Sequence, residues 1–161
     1  MADFFYRTEA KGIQAWILQS DRLRELCGGS NIIVKLDKEI QELAGQCHAK
    51  ECFAAAGGAT MLFDRAENLQ AFANHWPFFV SQRAPGLQIV QAWAENMRDV
   101  YPKLGDARNV LTPDLPVAGP LANRSGRTGL PAVRIGEKDG LEDRIVREKL
   151  ASFKRDGDSL R

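Results

Sequence analysis

The chain has 161 residues, which suits one ordinary domain with an extension. Apolar residues make up 44% of it, enough to bury a proper core, so it does not read as a disordered segment. Its 22 basic and 21 acidic residues leave a net charge of +1, which argues against a dedicated duplex-DNA binder and leaves room for a local phosphate site.

The N-terminus lacks the basic and then apolar pattern of a signal peptide. No apolar run approaches the roughly 20 residues that span a bilayer, so no membrane role is expected. The cysteines Cys27, Cys47 and Cys52 are odd in number and form no C-x-x-C pair. The expectation is a reduced, cytoplasmic setting with free thiols.

Along the chain, Asp3 to Thr8 is rich in aromatics and reads as a strand. Ile13, Trp16, Ile17, Leu23 and Leu26 then trace a helical face. Gly28-Gly29 should interrupt it, because glycine is costly inside a helix and favours helix ends. Ser30 would cap a second helix, whose apolar positions are Ile33, Leu36, Ile40, Leu43 and Ala44. Cys52 to Ala56 and Thr60 to Phe63 are short apolar runs around Gly57-Gly58, and they predict a β-hairpin.

Asp64 with Glu67 reads as a capping box for a helix whose stripe is Leu69, Phe72, Ala73, Trp76, Phe79 and Val80. Pro77 should kink or divide that helix. Ala84-Pro85-Gly86 ends it, and Leu87 to Trp93 reads as the last strand.

With the paired helices taken as one crossover, the order is βαββαβ. That predicts an α+β, ferredoxin-like fold with a four-stranded antiparallel sheet, over residues 1–97. Residues 98–138, with Pro102, Pro113, Pro116, Pro120 and Pro131, read as an irregular Pro- and Gly-rich connection. Residues 139–161 read as a C-terminal helix and tail, with Leu141, Ile145, Leu150 and Phe153 on one side. A chain that stops soon after a lone helix fits a fragment of something longer.

Four sequence words then occur in order: Lys11-Gly12-Ile13-Gln14-Ala15-Trp16-Ile17, Gly28-Gly29-Ser30, Gly57-Gly58, and Ala84-Pro85-Gly86-Leu87. In that order and spacing, residues 3–95 resemble the second palm domain of the large, polymerase-like subunit of type III CRISPR effector complexes, and its stand-alone relatives. A weaker echo continues in Arg127-Thr128-Gly129-Leu130-Pro131-Ala132. The resemblance implies a polymerase-type palm. An active palm of that family makes cyclic oligoadenylates from ATP with two divalent ions between a first-strand acid and a G-G-D-D hairpin. The cations are needed because in-line attack on a phosphate builds negative charge.

Glu9 falls where the first-strand acid would be, while Ala59 and Thr60 replace the hairpin acids. Mg²⁺ favours carboxylate oxygens, so this set is a poor one for it. The resemblance therefore implies a catalytically degenerate palm module, in nucleotide binding or in assembly within a prokaryotic CRISPR-like defence system. Its partners would be other proteins or a second palm. The candidate nucleotide-binding residues are Glu9, Gly12, Gln14, Ser30, Gly57, Gly58, Ala59 and Thr60. No catalytic residue and no resident metal is assigned; Mg²⁺ or Mn²⁺ with ATP enters only if a nucleotide site survives.

Two alternatives stand beside this reading. One is an active nucleotidyltransferase that keeps Glu9 and borrows Asp64 or a partner's carboxylates. The other is a single-stranded RNA-binding domain, with Phe5, Phe53 and Phe63 as candidate stacking platforms. Blander readings exist for each feature. Gly57-Gly58 serves a tight turn, and Ser30 serves a helix end. Cys47, His48 and Cys52 fit no common zinc spacing. Arg124-Ser125-Gly126-Arg127 either clamps a phosphate or an acidic partner, or is a solvated loop.

Overall fold

A computed structural model describes residues 3–110, 115, 118–136 and 140–159, with side chains of the last helix described to Arg155. Strands β1 (Phe4–Lys11), β2 (Glu51–Ala55), β3 (Gly58–Phe63) and β4 (Gln88–Ala94) form one antiparallel sheet in the order β2-β3-β1-β4. Helices α1 (Ile13–Ile17) and α2 (Leu23–Gln46) separate β1 from β2 in the chain, and α3 (Ala66–Arg83) separates β3 from β4. Helix α4 (Met97–Asn109) follows β4. The short strands β5 (Arg134–Ile135) and β6 (Leu141–Glu142) pair with each other ahead of α5 (Arg144–Ser159). Among the described residues this is a mixed α/β protein with a four-stranded antiparallel sheet and five helices.

The chain divides into two compact units. The first comprises residues 1–12, 33–82 and 87–112; the second comprises residues 13–32, 83–86 and 113–161. In the first unit, side chains alternate between the two sheet faces, as strand geometry requires. Tyr6 and Thr8 are buried on one face, opposite Met61 and Ala59. Tyr6 meets Phe72 of α3 edge-on at 5.1 Å, and Phe63 packs on the same ring at 6.0 Å.

Pro77 does not divide α3. A proline lacks the N–H that would bond the carbonyl four residues back, here that of Ala73. Gln91 fills the gap: its Nε2 donates to the Ala73 carbonyl at 3.1 Å, and its Oε1 accepts from the Tyr6 hydroxyl at 2.6 Å. Helix α3 begins two residues beyond Asp64.

On the other face, Val90 and Ala92 are buried with Val100 and Leu104 of α4, and Phe5 and Met97 pack beside them. Residues 97–109 are therefore a helix, although an irregular connection was expected from residue 98 onward. Asn96 caps it, its side chain accepting from the Arg98 N–H at 3.0 Å. Pro102 and Gly105 read as breakers, but Met97, Val100, Leu104 and Ala107 hold helical spacing, and burial against the sheet outweighs the local cost. Pro113 and Pro116 lie outside the described residues.

Helix α2 ends in a Schellman turn, with the His48 N–H bonding the Gly45 carbonyl and the Ala49 N–H that of Ala44. His48 takes φ +57 there, so it serves as a helix terminator.

In the second unit the helical break comes at residues 18–22, not at Gly28-Gly29. Lys149, fully buried on α5, donates from Nζ to the carbonyls of Trp16 at 2.6 Å and Ile17 at 3.1 Å, closing the end of α1. The ammonium also lies 4.7 Å from the Trp16 ring centre. Helix α2 runs unbroken through Gly28 and Gly29 because both are contact points. A Cβ at position 28 would overlap the backbone carbonyl of Lys149, and one at 29 would come within 3.3 Å of its side chain. Ser30 lies inside α2 and its hydroxyl donates to the Leu26 carbonyl at 3.1 Å, so it is not an N-cap.

Helix α5 begins at Arg144, later than expected: Asp139 lies outside the described residues, but Leu141, expected on the helix's apolar side, lies in β6. Asp143 caps it, accepting from the N–H groups of Ile145 at 2.8 Å and Val146 at 3.1 Å. Arg127 is not in a solvated loop, for it forms an ion pair with the buried Glu25.

Candidate functional site

The hairpin is built around a two-residue loop of Ala56 and Gly57, with φ of +53° and +79°. Two positive values define the mirror-image turn that suits the twist of a hairpin. Gly57 supplies this conformation freely, while Ala56 adopts it at some cost. The loop is thus displaced by one residue from the expected Gly57-Gly58. Gly58 is the first residue of β3, and a Cβ there would meet only ordinary contacts, the nearest at 3.5 Å. Asp37 of α2 accepts from the Gly57 N–H at 3.0 Å, and the Gly57 carbonyl accepts from the Ala10 N–H at 2.8 Å. The hairpin tip is pinned from both sides.

Glu9 stands directly opposite Gly58 on the neighbouring strand. Its carboxylate is engaged at both oxygens. Arg7 reaches Oε1 through Nε at 3.0 Å and Nη2 at 2.9 Å, and Arg108 of α4 pairs with Oε2. Partial burial favours the neutral acid, but hydrogen bonds and charge from Arg108 and Arg7 outweigh it. The Glu9 carboxyl is therefore held below its ordinary value. The remaining Arg7 nitrogen, Nη1, donates to the Thr60 hydroxyl at 3.1 Å, and its guanidinium lies over the Tyr101 ring at 5.3 Å. Lys11 adds a further cation, donating to the Arg108 carbonyl at 2.8 Å.

The expected site residues part company here. Glu9, Gly58 and Thr60 share one sheet face, with Gly57 at its end. Ala59 points to the opposite face, buried beside Thr8. Gly12 needs glycine for its φ of +67 just after β1. Gln14 on α1 and Ser30 on α2 belong to the second unit. Of the candidate stacking residues, Phe63 is fully buried and Phe5 packs beneath α4, leaving Phe53, 71% exposed.

A groove of about 430 Å³ opens beside the hairpin, lined by Arg7, Gln41, Phe53, Ala55, Gly58 and Thr60 among others. Phe53, Thr60 and Arg7 form one rung across three strands, and Ala55, Gly58 and Glu9 form the next. The small residues of the second rung lower the floor. Arg7 was legible in principle, since residues two apart on a strand share a face. Arg108, 99 residues from Glu9, carried no such signal.

These residues do not fit a two-metal centre. Both Glu9 oxygens hold guanidinium groups, the Thr60 hydroxyl is engaged by Arg7, and Ala59 faces the core. Among the described residues, no three His, Cys, Asp or Glu side chains come together to hold an ion. The thiols of Cys27, Cys47 and Cys52 are free. Among the described residues, no helix is long and apolar enough to cross a membrane. No family model matches the chain, and no curated protein matches it.

Proposed function

We propose that the chain is a non-catalytic, ferredoxin-like palm module, related to the second palm domain of type III CRISPR large subunits, that works in nucleotide binding or assembly. The observation that carries this reading is Glu9, held between Arg7 and Arg108 opposite a hairpin turn with no acid at Ala59 or Thr60. A carboxylate already neutralised by two guanidinium groups has little left to offer a divalent cation. The strand order β2-β3-β1-β4, with helical connections on either side of the hairpin, supports the ferredoxin-like part of the reading. Free cysteines accord with a cytoplasmic setting.

The experiment is incubation of the chain with labelled ATP and Mn²⁺ or Mg²⁺. No linear or cyclic oligonucleotide should form. A product that disappears in Glu9→Gln would overturn the non-catalytic reading in favour of a nucleotidyltransferase.

A second reading, single-stranded RNA binding, has one observation in its favour. Phe53 is exposed on the open face beside Arg7 and Thr60, where a base could stack.

A further inference from the structure

We propose that Arg7, Arg108 and Thr60 hold the phosphate of a nucleotide without a metal ion, while Phe53 carries its base. The inference rests on the non-catalytic reading of the same site and names its ligand and its means of recognition.

Three features of one sheet face point to it. The first is charge. Arg7 and Arg108 share a single carboxylate, Glu9, so the cluster keeps one positive charge in excess. An anion of phosphate type completes the neutralisation, and the planar guanidinium matches its oxygens. The second is preorganisation. Arg7 is held by Thr60 and by the Tyr101 ring, contacts that stay when Glu9 gives way, so little side-chain freedom is left to lose on binding. The third is spacing. Phe53, Thr60 and Arg7 are consecutive across β2, β3 and β1. Neighbouring strands lie about 4.8 Å apart, so Phe53 and Arg7 are separated by about 10 Å, comparable with the span from a base to the phosphates it carries. With Arg7, Phe53 and Thr60, the small Ala55 and Gly58 line the groove of about 430 Å³, within the usual range for small-ligand sites. Glu9 and Arg108 stand outside its lining.

In the free protein, Glu9 occupies the guanidinium edge that the phosphate would use. The carboxylate is therefore a competitor of the ligand, whereas at a metal centre it would be a ligand-holding group. The two roles predict opposite effects of removing its charge.

Two sources could supply such a ligand, a free nucleotide or a single-stranded oligonucleotide. Calorimetric titration of the full chain in EDTA with ATP, adenosine and single-stranded oligoadenylate separates them. ATP or the oligonucleotide should bind and adenosine should not; stronger, salt-sensitive binding of the oligonucleotide would identify the polymer as the source. Arg7→Gln should weaken binding about tenfold or more, by loss of a charge-assisted contact. Phe53→Ala, at a solvent-exposed position, should weaken it about tenfold by loss of stacking. Glu9→Gln should strengthen it. Circular dichroism of each variant checks that the fold is kept.

Absence of binding in EDTA by every probe overturns the inference and, if no product forms from ATP, leaves the non-catalytic module standing. Binding that requires Mn²⁺ and is lost in Glu9→Gln overturns both.

Discussion

Gln91 shows how one side chain can decide whether an element survives. Its amide bridges the Tyr6 hydroxyl and the Ala73 carbonyl, the latter stranded by Pro77. Leu at this position would strand both groups, one of them on the fully buried Tyr6. Gln91→Leu should lower unfolding stability by about 2 kcal/mol, measurable by urea denaturation; a neutral outcome would mean that water replaces the amide. Lys149 makes a pH-dependent case. Burial pushes its ammonium down from 10.5 to about 8, against the opposing pull of Asp143. Between these values the unfolded chain binds the proton and the folded chain does not, so stability rises with pH across that window. Below about pH 8 both states are protonated and the cost of burying the charge is fully present. Relative to Lys149→Met, the natural chain should therefore gain stability as pH is raised from about 8 toward 10.5. A pH-independent difference between the two would refute this account.

At the scale of elements, the glycines separate into different roles that a sequence pattern treats alike. Gly57 provides a positive φ at a turn, Gly58 is an ordinary strand residue, and Gly28 provides room for another helix. Helix propensity alone predicts that Gly28→Ala gains about 1 kcal/mol. Overlap with the Lys149 carbonyl predicts the reverse, a loss of about 2 kcal/mol or more. Thermal unfolding of this single variant distinguishes a helix break from a helix contact. The first strand, the hairpin, α3 and the last strand were legible because their apolar periods are strong and their ends carry turn residues. Helix α4 was not, because Pro102 and Gly105 mask a stripe whose stability comes from Val90 and Ala92 on the sheet. The break after Ile17 was also hidden, since its stabilising group comes from Lys149, 132 residues away.

For the whole molecule, the decisive point is that both oxygens of Glu9 are held by the protein's own cations, Arg7 and Arg108. Added Mn²⁺ or Mg²⁺ should leave the thermal midpoint unchanged, because a ligand stabilises only what it binds. A midpoint that climbs with metal concentration, and does not in Glu9→Gln, would show that the arginines yield to the ion.

By itself the sequence determined the order of the main strands, the hairpin and the lack of acids at Ala59 and Thr60. These follow from local periodicity and residue chemistry, which the chain carries at every position. Only the tertiary structure decided what Glu9 does, that Ala59 faces away from it, and that Gly28 and Lys149 must meet. Each of these depends on partners far apart in the chain, and long-range proximity leaves no local pattern to read.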